Sequence, residues 1–279
     1  MSILHCGRFR LSLERPLLMG IVNLTPDSFS GDGMSSDVAR AICHARQQLD
    51  AGADILDVGA ESSRPGAIPT PEAEELRRLI PVLREVASWN VPVSVDTYKP
   101  VVMRAALEAG ATMINDISAL THRGAIDVIA GSDCAVCLMH MAGEPGTMQR
   151  DPLYDDVVGE VRAFLGARVA ACRSAGVAEN RIVLDPGFGF GKTLEHNLAL
   201  FRALTATGTE DLPILVGVSR KSMLGTITGR PVEARMAASI AAALLAVQKG
   251  AKILRVHDVA ETKDALAVLA ALEEGVNLQ

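Results

Sequence analysis

The sequence predicts a closed (β/α)8 barrel of the TIM-barrel class, because a strand-then-helix unit recurs eight times along the chain. Eight short apolar runs each end at a polar, charged or small residue, and a stretch with helical spacing follows each run. The runs are continuously apolar, as expected for parallel strands buried on both faces. Such barrels keep their active sites at the carboxyl ends of the strands, so the pattern also predicts where the site lies.

An alternating segment precedes the repeats. Phe9, Leu11 and Leu13 alternate with Arg8, Arg10 and Ser12, which is typical of a half-buried strand or hairpin. We expect this segment to cover the amino-terminal end of the barrel.

The eight predicted strands have apolar cores, and most of the residues that could bind a ligand or take part in catalysis lie at their ends. They are Leu17–Asn23, Ile55–Gly59, Val93–Asp96, Met113–Ile117, Ala135–His140, Ile182–Asp185, Ile214–Val218 and Ala251–Val256.

The predicted helices alternate with these strands, and capping signals bound several of them. Thr70-Pro71 supplies an N-cap with proline in the first turn, and Gly52, Gly110, Gly176 and Gly250 end four helices. No linker or low-complexity segment divides the chain, so residues 1–279 are predicted to form a single domain. The helices are Asp37–Ala51, one opening at Thr70, Pro100–Gly110, Ala125–Ala130, Tyr154–Ser174, Leu194–Leu204, Val232–Lys249 and Val259–Glu274.

Composition narrows the class of protein. A net charge of −6 without a dense basic cluster argues against a nucleic-acid partner. The first residues show no signal-peptide pattern, and the longest apolar segment, Met236–Val247, is too short to span a bilayer. We therefore predict a cytoplasmic protein with no membrane partner.

The five cysteines do not indicate a disulfide framework or a zinc site. Cys134 and Cys137 lie three apart on a predicted strand, where side chains three apart point to opposite faces. We expect buried thiols.

Three phenylalanines lie in polar loops after the first and sixth strands: Phe29, Phe188 and Phe190. At the top of a barrel, such rings predict stacking faces for a flat ligand. The alternative is that they anchor loops on the barrel rim.

The glycine-rich segment Asp185–Thr193 resembles a nucleotide-binding loop only superficially. Pro186 stands where a P-loop requires glycine, and the spacing of its glycines fits no dinucleotide fingerprint. Glycines here predict close approach of the backbone to a ligand.

Polar residues at the strand ends form the candidate site. Asp96, Asn115 and Asp185 suit a ligand rich in N–H donors and ring nitrogens, and buried carboxylates need cationic partners. The candidate cations are Lys221, Arg255, Arg64 and His257, and Ser222 opens a helical turn that could bind an anion. The alternative is a structural ion-pair network.

Seven segments, in order along the chain, resemble the dihydropteroate synthase family. The first two, Gly20–Ser30 and Asp57–Gly66, resemble its two signatures, and the matches cover essentially the full chain. The other five are Ser94–Thr97, Ile114–Ile117, Asp185–Phe190, Ser219–Ser222 and Arg255–His257.

This resemblance implies condensation of 6-hydroxymethyl-7,8-dihydropterin diphosphate with p-aminobenzoate, giving 7,8-dihydropteroate and diphosphate in folate synthesis. It implies a pterin site of Asp96, Asn115, Met139, Asp185, Gly217, Lys221 and Arg255, of which Asp96, Asp185, Lys221 and Arg255 would be catalytic. It implies a diphosphate site of Asn23, Arg64, Arg255 and His257, with Asn23 also binding Mg²⁺. It implies a p-aminobenzoate and sulfonamide pocket of Phe29, Ser63, Pro65, Phe190, Lys221 and Ser222.

Two positions depart from the family pattern. Ser63 stands where threonine is usual, which keeps the hydroxyl, and Ser30-Gly31-Asp32-Gly33 varies a loop usually read as Ser-Asp-Gly-Gly. Neither change removes a chemical group from the implied site.

Two other functions remain open from the sequence. A methyltetrahydrofolate–corrinoid methyltransferase would share the pterin-binding groups but needs no diphosphate or p-aminobenzoate site, so Ser62–Pro65 and Ser219–Ser222 favour the synthase. A non-catalytic pterin-binding paralogue is the third reading, and retention of every expected polar group argues against it.

The helix predicted over Val232–Lys249 is apolar nearly all round, whereas an exposed barrel helix should show a polar stripe. Together with the homodimers usual in the family that the chain resembles, this predicts a subunit interface. The alternative is cover from neighbouring helices within one chain.

Overall fold

The chain forms an eight-stranded parallel barrel, as predicted. The structure is a computed structural model that describes residues 3–24, 34–62, 66–209 and 211–274. The order around the barrel is β8-β7-β6-β5-β4-β3-β10-β9. The strands are β3 (Leu17–Asn23), β4 (Ile55–Gly59), β5 (Val93–Asp96), β6 (Met113–Asp116), β7 (Ala135–Met139), β8 (Ile182–Asp185), β9 (Leu215–Val216) and β10 (Ile253–Val256).

A short contact closes the barrel between β8 and β9. The N–H of Leu184 donates to the carbonyl of Pro213 at 2.9 Å, and Leu184 bridges Ile214 in parallel. The regular part of β9 is shorter than the predicted Ile214–Val218, because its pairing with β10 covers only Leu215 and Val216.

A hairpin covers the amino-terminal end of the barrel, which confirms that prediction. Its strands, β1 (Ile3–Cys6) and β2 (Phe9–Ser12), pair antiparallel. Leu4 and Leu13 are buried against residues of the lower barrel interior, such as Leu17 and Met113. The hairpin therefore closes the base, and the opposite end carries the polar strand ends.

Helices surround the barrel. They differ from the prediction mainly at two places, where a segment predicted as one helix is divided into two elements. The predicted Leu194–Leu204 helix is two helices separated at Ala203, and a 3-10 turn (Val232–Ala234) precedes α9. The helices are α1 (Met34–Asp50), α2 (Glu72–Ala87), α3 (Pro100–Glu108), α4 (Ala125–Ala130), α5 (Val157–Ser174), α6 (Leu194–Arg202), α7 (Leu204–Thr207), α8 (Ser222–Thr228), α9 (Met236–Gln248) and α10 (Val259–Glu274).

The barrel wall separates two apolar regions. Cys134 packs in the layer between barrel and helices, whereas Cys137 packs inside the barrel, so the two thiols face opposite ways as predicted. Both are buried and free. None of the helices in the described part of the chain has the length and apolar character needed to cross a bilayer.

Candidate active site

Inward-facing residues change character along the barrel axis. Ile55, Met113, Cys137, Val183 and Ile253 form an apolar lower layer. Two residues further along each strand the side chain returns to the same face, and there most inward positions are polar. This upper layer contains Asp57, Asp96, Asn115, Met139, Asp185, Gly217 and Arg255.

Arg255 binds two carboxylates in the upper layer. Its Nε donates to Asp57 Oδ2 at 2.6 Å, and its Nη2 donates to Asp96 Oδ2 at 2.9 Å. Burial lowers the pKa of Arg255, but the two carboxylates outweigh burial and the net pKa lies above its ordinary value. The guanidinium therefore remains charged and supplies the fixed cation that these buried acids require.

Asp96 is the titratable member of this group. Burial raises the pKa of Asp96 to about 7, although Arg255 opposes the rise. Its side chain is 13% exposed, so a ligand at the barrel mouth can reach it. A ligand that donates N–H bonds there would favour the ionised form.

Asp57 is a site residue that the sequence analysis placed in the second predicted strand, at the start of a family signature, but left without a role. It is fully buried, and Asn115 Nδ2 donates to its Oδ2 at 3.4 Å. Among the residues that the structure describes, Asp57 Oδ1 has no hydrogen-bond partner. The signal that could have identified it is alternation, since Asp57 follows inward-facing Ile55 by two residues.

Asp185 and Lys221 form the second half of the upper layer. Asp185 Oδ1 accepts from the N–H of Gly187 at 2.7 Å, and Lys221 Nζ donates to the carbonyl of Phe188. Burial raises the pKa of Asp185, opposed mainly by Lys221. Burial also lowers the pKa of Lys221 to about 8. A carboxylate and an amine therefore lie close enough to interact, and burial disfavours the charged form of each.

The p-aminobenzoate set is brought together only in part within the described residues. Lys221 Nζ lies 4.6 Å from the centroid of the Phe190 ring, and Ser222 is exposed at the start of α8. Phe29, Ser63 and Pro65 lie outside the described residues, as do the two departures from the family pattern.

Phe188 does not face a ligand, so its assignment as a stacking surface was wrong. Its side chain is fully buried, and its ring lies 5.7 Å from that of Phe201. The neighbouring Gly187 and Gly189 both have positive φ and turn the backbone so that Phe188 points into the helix layer. It is the loop anchor that the alternative interpretation describes.

The diphosphate set lies at the ends of β3 and β10. Asn23 is half-buried on the inward side of β3, and His257 Nδ1 lies 3.0 Å from Ser219 Oγ. His257 follows Arg255 by two residues, so both side chains lie on one side of the extended chain. Arg64 lies outside the described residues.

Lys192 is a second residue that the sequence analysis missed, having treated it only as part of a rejected phosphate-loop motif. Its side chain is buried beneath the loop after β8. Its Nζ lies within 3.0 Å of three acceptors: His140 Nδ1 and the carbonyls of Gly187 and Phe190. A lysine between a buried strand and a helix N-cap is a weak signal that sequence alone does not resolve.

Comparison with known proteins agrees with this geometry. The family described as pterin binding enzyme matches residues 19–257. A relative from Neisseria meningitidis serogroup C, named dihydropteroate synthase, is 53% identical over 279 residues, covering 98% of each chain.

Two solved structures share the whole fold. Burkholderia cenocepacia dihydropteroate synthase complexed with 7,8-dihydropteroate has a TM-score of 0.91 and 51% identity, over 100% of this chain and 99% of that one. The Yersinia pestis enzyme in a sulfonamide drug complex has a TM-score of 0.92 and 44% identity, over 98% of this chain and all of that one. With the layered site in the same barrel, these matches show that the chain belongs to the pterin binding enzyme family and, within it, to the dihydropteroate synthases.

Proposed function

We propose that this enzyme condenses 6-hydroxymethyl-7,8-dihydropterin diphosphate with p-aminobenzoate, releasing 7,8-dihydropteroate and diphosphate. The observation that carries the proposal is the upper layer of the barrel, where Asp96, Asn115 and Asp185 lie near the ends of three strands and both carboxylates interact electrostatically with Lys221 and Arg255. The product complex of the Burkholderia relative, at 51% identity, supports it.

The pterin would lie flat across the upper layer. Its N–H donors would bind Asp96 and Asp185, and Asn115 and Lys221 would complete the edge. Met139, which is buried at the end of β7, would cover one ring face, and Arg255 would cover the other. Gly217 leaves room beside Arg255, since a Cβ there would lie 3.8 Å from that side chain's Cβ.

Pterin binding would also release Arg255. Donors on the pterin would replace its bond to Asp96, because a carboxylate accepts equally well from a ligand. The freed guanidinium could then stack on the ring and reach a phosphate oxygen. Arg255 and His257 lie two residues apart on an extended chain, which favours binding of the diphosphate by both side chains.

Mg²⁺ is the metal that the diphosphate would carry. Among the described residues there is no cluster of three or more His, Cys, Asp or Glu side chains that could hold a metal alone. Mg²⁺ commonly takes one or two protein ligands and completes its shell with phosphate oxygens and water, and the amide oxygen of Asn23 fits that role. The ion would neutralise charge on the leaving group.

The reaction would proceed by dissociation. The bond between the pterin methylene carbon and the diphosphate oxygen breaks, and its electron pair leaves with the diphosphate. Asp96 and Asp185 stabilise the resulting ring-conjugated cation, while Arg255 and His257 bind the departing anion. The amine nitrogen of p-aminobenzoate then bonds to the methylene carbon and releases its proton to solvent. No strong base is required.

The arylamine pocket would lie beside Lys221. Phe190 offers a ring face, and Ser222 with the N–H groups at the start of α8 would bind the carboxylate. Phe29, Ser63 and Pro65 would complete the pocket. The same groups would bind sulfonamides, as supported by the drug complex of the Yersinia relative.

Turnover is the decisive test. Purified protein with Mg²⁺, the pterin diphosphate and p-aminobenzoate should form dihydropteroate and diphosphate in equal amounts, and omission of either substrate should abolish both. Binding of the pterin diphosphate without product would favour a non-catalytic paralogue, and methyl transfer from methyltetrahydrofolate to a corrinoid would favour the methyltransferase.

We also propose a homodimer and a cytoplasmic location.

A further inference from the structure

Lys192 is buried in the loop after β8, where its amine is bound by protein groups. Its amine donates to the carbonyls of Gly187 at 2.9 Å and Phe190 at 3.0 Å. His140 Nδ1, at 3.0 Å, is the third acceptor. Burial, with Lys192 nearby, lowers the pKa of His140 to about 3, so the imidazole is neutral and can accept.

The loop that Lys192 holds has little intrinsic preference for its conformation. Gly187, Gly189 and Gly191 all have positive φ, a region that glycine enters freely but does not favour strongly. Gly187 and Gly191 also lie close to the segment that follows β7, since a Cβ would lie 1.8 Å from the carbonyl oxygen of His140 and 2.4 Å from that of Ala142, respectively. Hydrogen bonds from side chains therefore help to fix this backbone, and they come from Gln149 and Tyr154 as well as from Lys192.

The carbonyls bound by Lys192 connect directly to the site. The N–H of Gly187 donates to Asp185 Oδ1 at 2.7 Å, and its carbonyl accepts from Lys192. Phe190 presents its ring to Lys221 while its carbonyl accepts from Lys192. One buried amine thus fixes both the carboxylate expected to bind the pterin and the ring expected to bind the arylamine.

We propose that Lys192 is a positioning residue for the condensation, which holds Gly187 and Phe190 so that Asp185 and the Phe190 ring are set for the two substrates. This inference rests on the proposed function. It differs from a purely structural role, in which loss of Lys192 would reduce the fraction of folded enzyme and leave the affinity of each folded molecule unchanged.

The test compares Lys192→Met with Lys192→Gln and a matched control. Methionine keeps an unbranched apolar stem but has no N–H, whereas glutamine keeps an NH₂ group. Lys249, which also donates to a backbone carbonyl (Arg202, 3.2 Å) but on the exposed surface, supplies the control Lys249→Met. All variants are assayed as the full chain with both substrates and Mg²⁺.

We expect the KM for p-aminobenzoate to rise about tenfold or more in Lys192→Met, as loss of about 1–2 hydrogen bonds would give. Lys192→Gln should lie between wild type and Lys192→Met, and kcat per folded molecule should fall less than KM rises. Lys249→Met should match wild type. If Lys192→Met does not fold, the shift in KM between wild type and Lys192→Gln decides.

Unchanged KM in the folded variants, or a fall in kcat that only follows the folded fraction, would overturn the positioning role while leaving the proposed function intact. An inactive wild-type enzyme would instead refute the function. In that case the positioning of the loop is judged by amide hydrogen exchange of residues 186–191, which must quicken in Lys192→Met and not in Lys249→Met.

Discussion

Arg255 shows how a single side chain can serve two states of one site. It neutralises Asp57 and Asp96 across the barrel. Leaving these two carboxylates without this cation would be costly, so the pairing stabilises the upper layer. Under the proposed function, a ligand that satisfies Asp96 would release the guanidinium, so pterin binding and diphosphate binding would be coupled through one residue.

Asp185→Asn should spare the fold and slow turnover by about 10²–10³ in kcat, the range seen when one preorganised electrostatic group is lost. The amide keeps the shape and loses the charge that stabilises the developing cation. Because burial already raises the pKa of Asp185, removing its charge should not destabilise the protein. Steady-state kinetics and thermal unfolding measure the two effects, with exposed Asp133→Asn as control. A kcat near that of wild type would refute the role.

The pH dependence should follow Asp96 and Lys221. Asp96 must be ionised, which occurs above its pKa of about 7, and Lys221 must be protonated, which occurs below its pKa of about 8. The kcat/KM for the pterin diphosphate should therefore form a narrow bell centred between these values.

In Asp96→Asn the residual activity should lose the acidic limb. As a control, the affinity for the dihydropterin alcohol is measured by calorimetry across the same pH range. This ligand has no phosphate to titrate, so a change in its affinity with pH must come from other groups. Equal affinity from pH 6 to pH 9 would exclude this interpretation.

Sequence reasoning found the site residues that terminate strands but not the ones whose role depends on distant contacts. Asp96, Asn115 and Asp185 could be identified because strand ends of a parallel barrel meet at one edge. The partnership of Asp57 with Arg255 joins residues 198 positions apart, and no local pattern specifies which acid the arginine selects. Lys192 was missed for the same reason, since its acceptors are two backbone carbonyls and the ring of His140, 52 positions away.

At the scale of elements, Lys99 ties the connection between β4 and α2 to the start of α3. Its amine binds the carboxylate of Glu61, the carbonyl of Thr70 and Glu75 Oε2, the last at 2.7 Å. Tyr98 also donates to Glu61 at 2.9 Å. Glu61 and Thr70, which flank residues 63–65 in this connection, are therefore both bound to one part-buried ammonium.

Lys99→Met should destabilise the protein by about 3–5 kcal/mol, because it leaves Glu61 and Glu75 buried without their cation. Glu75→Gln added to that variant should recover part of the loss. The control is Arg77→Met, whose partner Glu74 lies on the surface, so it should change stability little. Urea unfolding measures all three. Equal midpoints for Lys99→Met and Arg77→Met would contradict the prediction.

Strands were predicted more accurately than helices for a physical reason. An apolar run bounded by polar residues defines a buried strand within one or two positions, as β3, β4, β5 and β8 show. Helix bounds depend on tertiary packing. The break at Ala203, between α6 and α7, carries neither glycine nor proline and so leaves no mark in the sequence.

At the scale of the whole molecule, the residues that stabilise the barrel and the residues of the candidate site lie at opposite ends of its axis. The hairpin and the apolar lower layer close one end, and the polar upper layer occupies the other. Eight strands end there, so residues as far apart in sequence as Asn23 and His257 lie at the same end of the barrel. Loss of packing at the base should reduce stability without changing the geometry at the mouth.

The outer surface of α9 is where a second subunit should bind. Its inward residues, Ala242, Ala243 and Ala246, are buried, but Leu245 is 51% exposed on the same helix. The adjacent α10 exposes Leu272 at 80%. Apolar side chains exposed on two neighbouring helices are typical of an interface, so the alternative of complete cover within one chain is not supported.

We therefore expect a dimer mass by light scattering at micromolar concentration. Ala241→Glu with Leu245→Glu should give monomers, because both residues are exposed and four positions apart on one face of α9. Ala242 is unsuitable for this test, since a charge at that buried position would disrupt the core. Val101→Glu on α3, also exposed, is the control and should remain dimeric. A monomeric wild type, or a double variant that stays dimeric, would place the interface elsewhere or remove it.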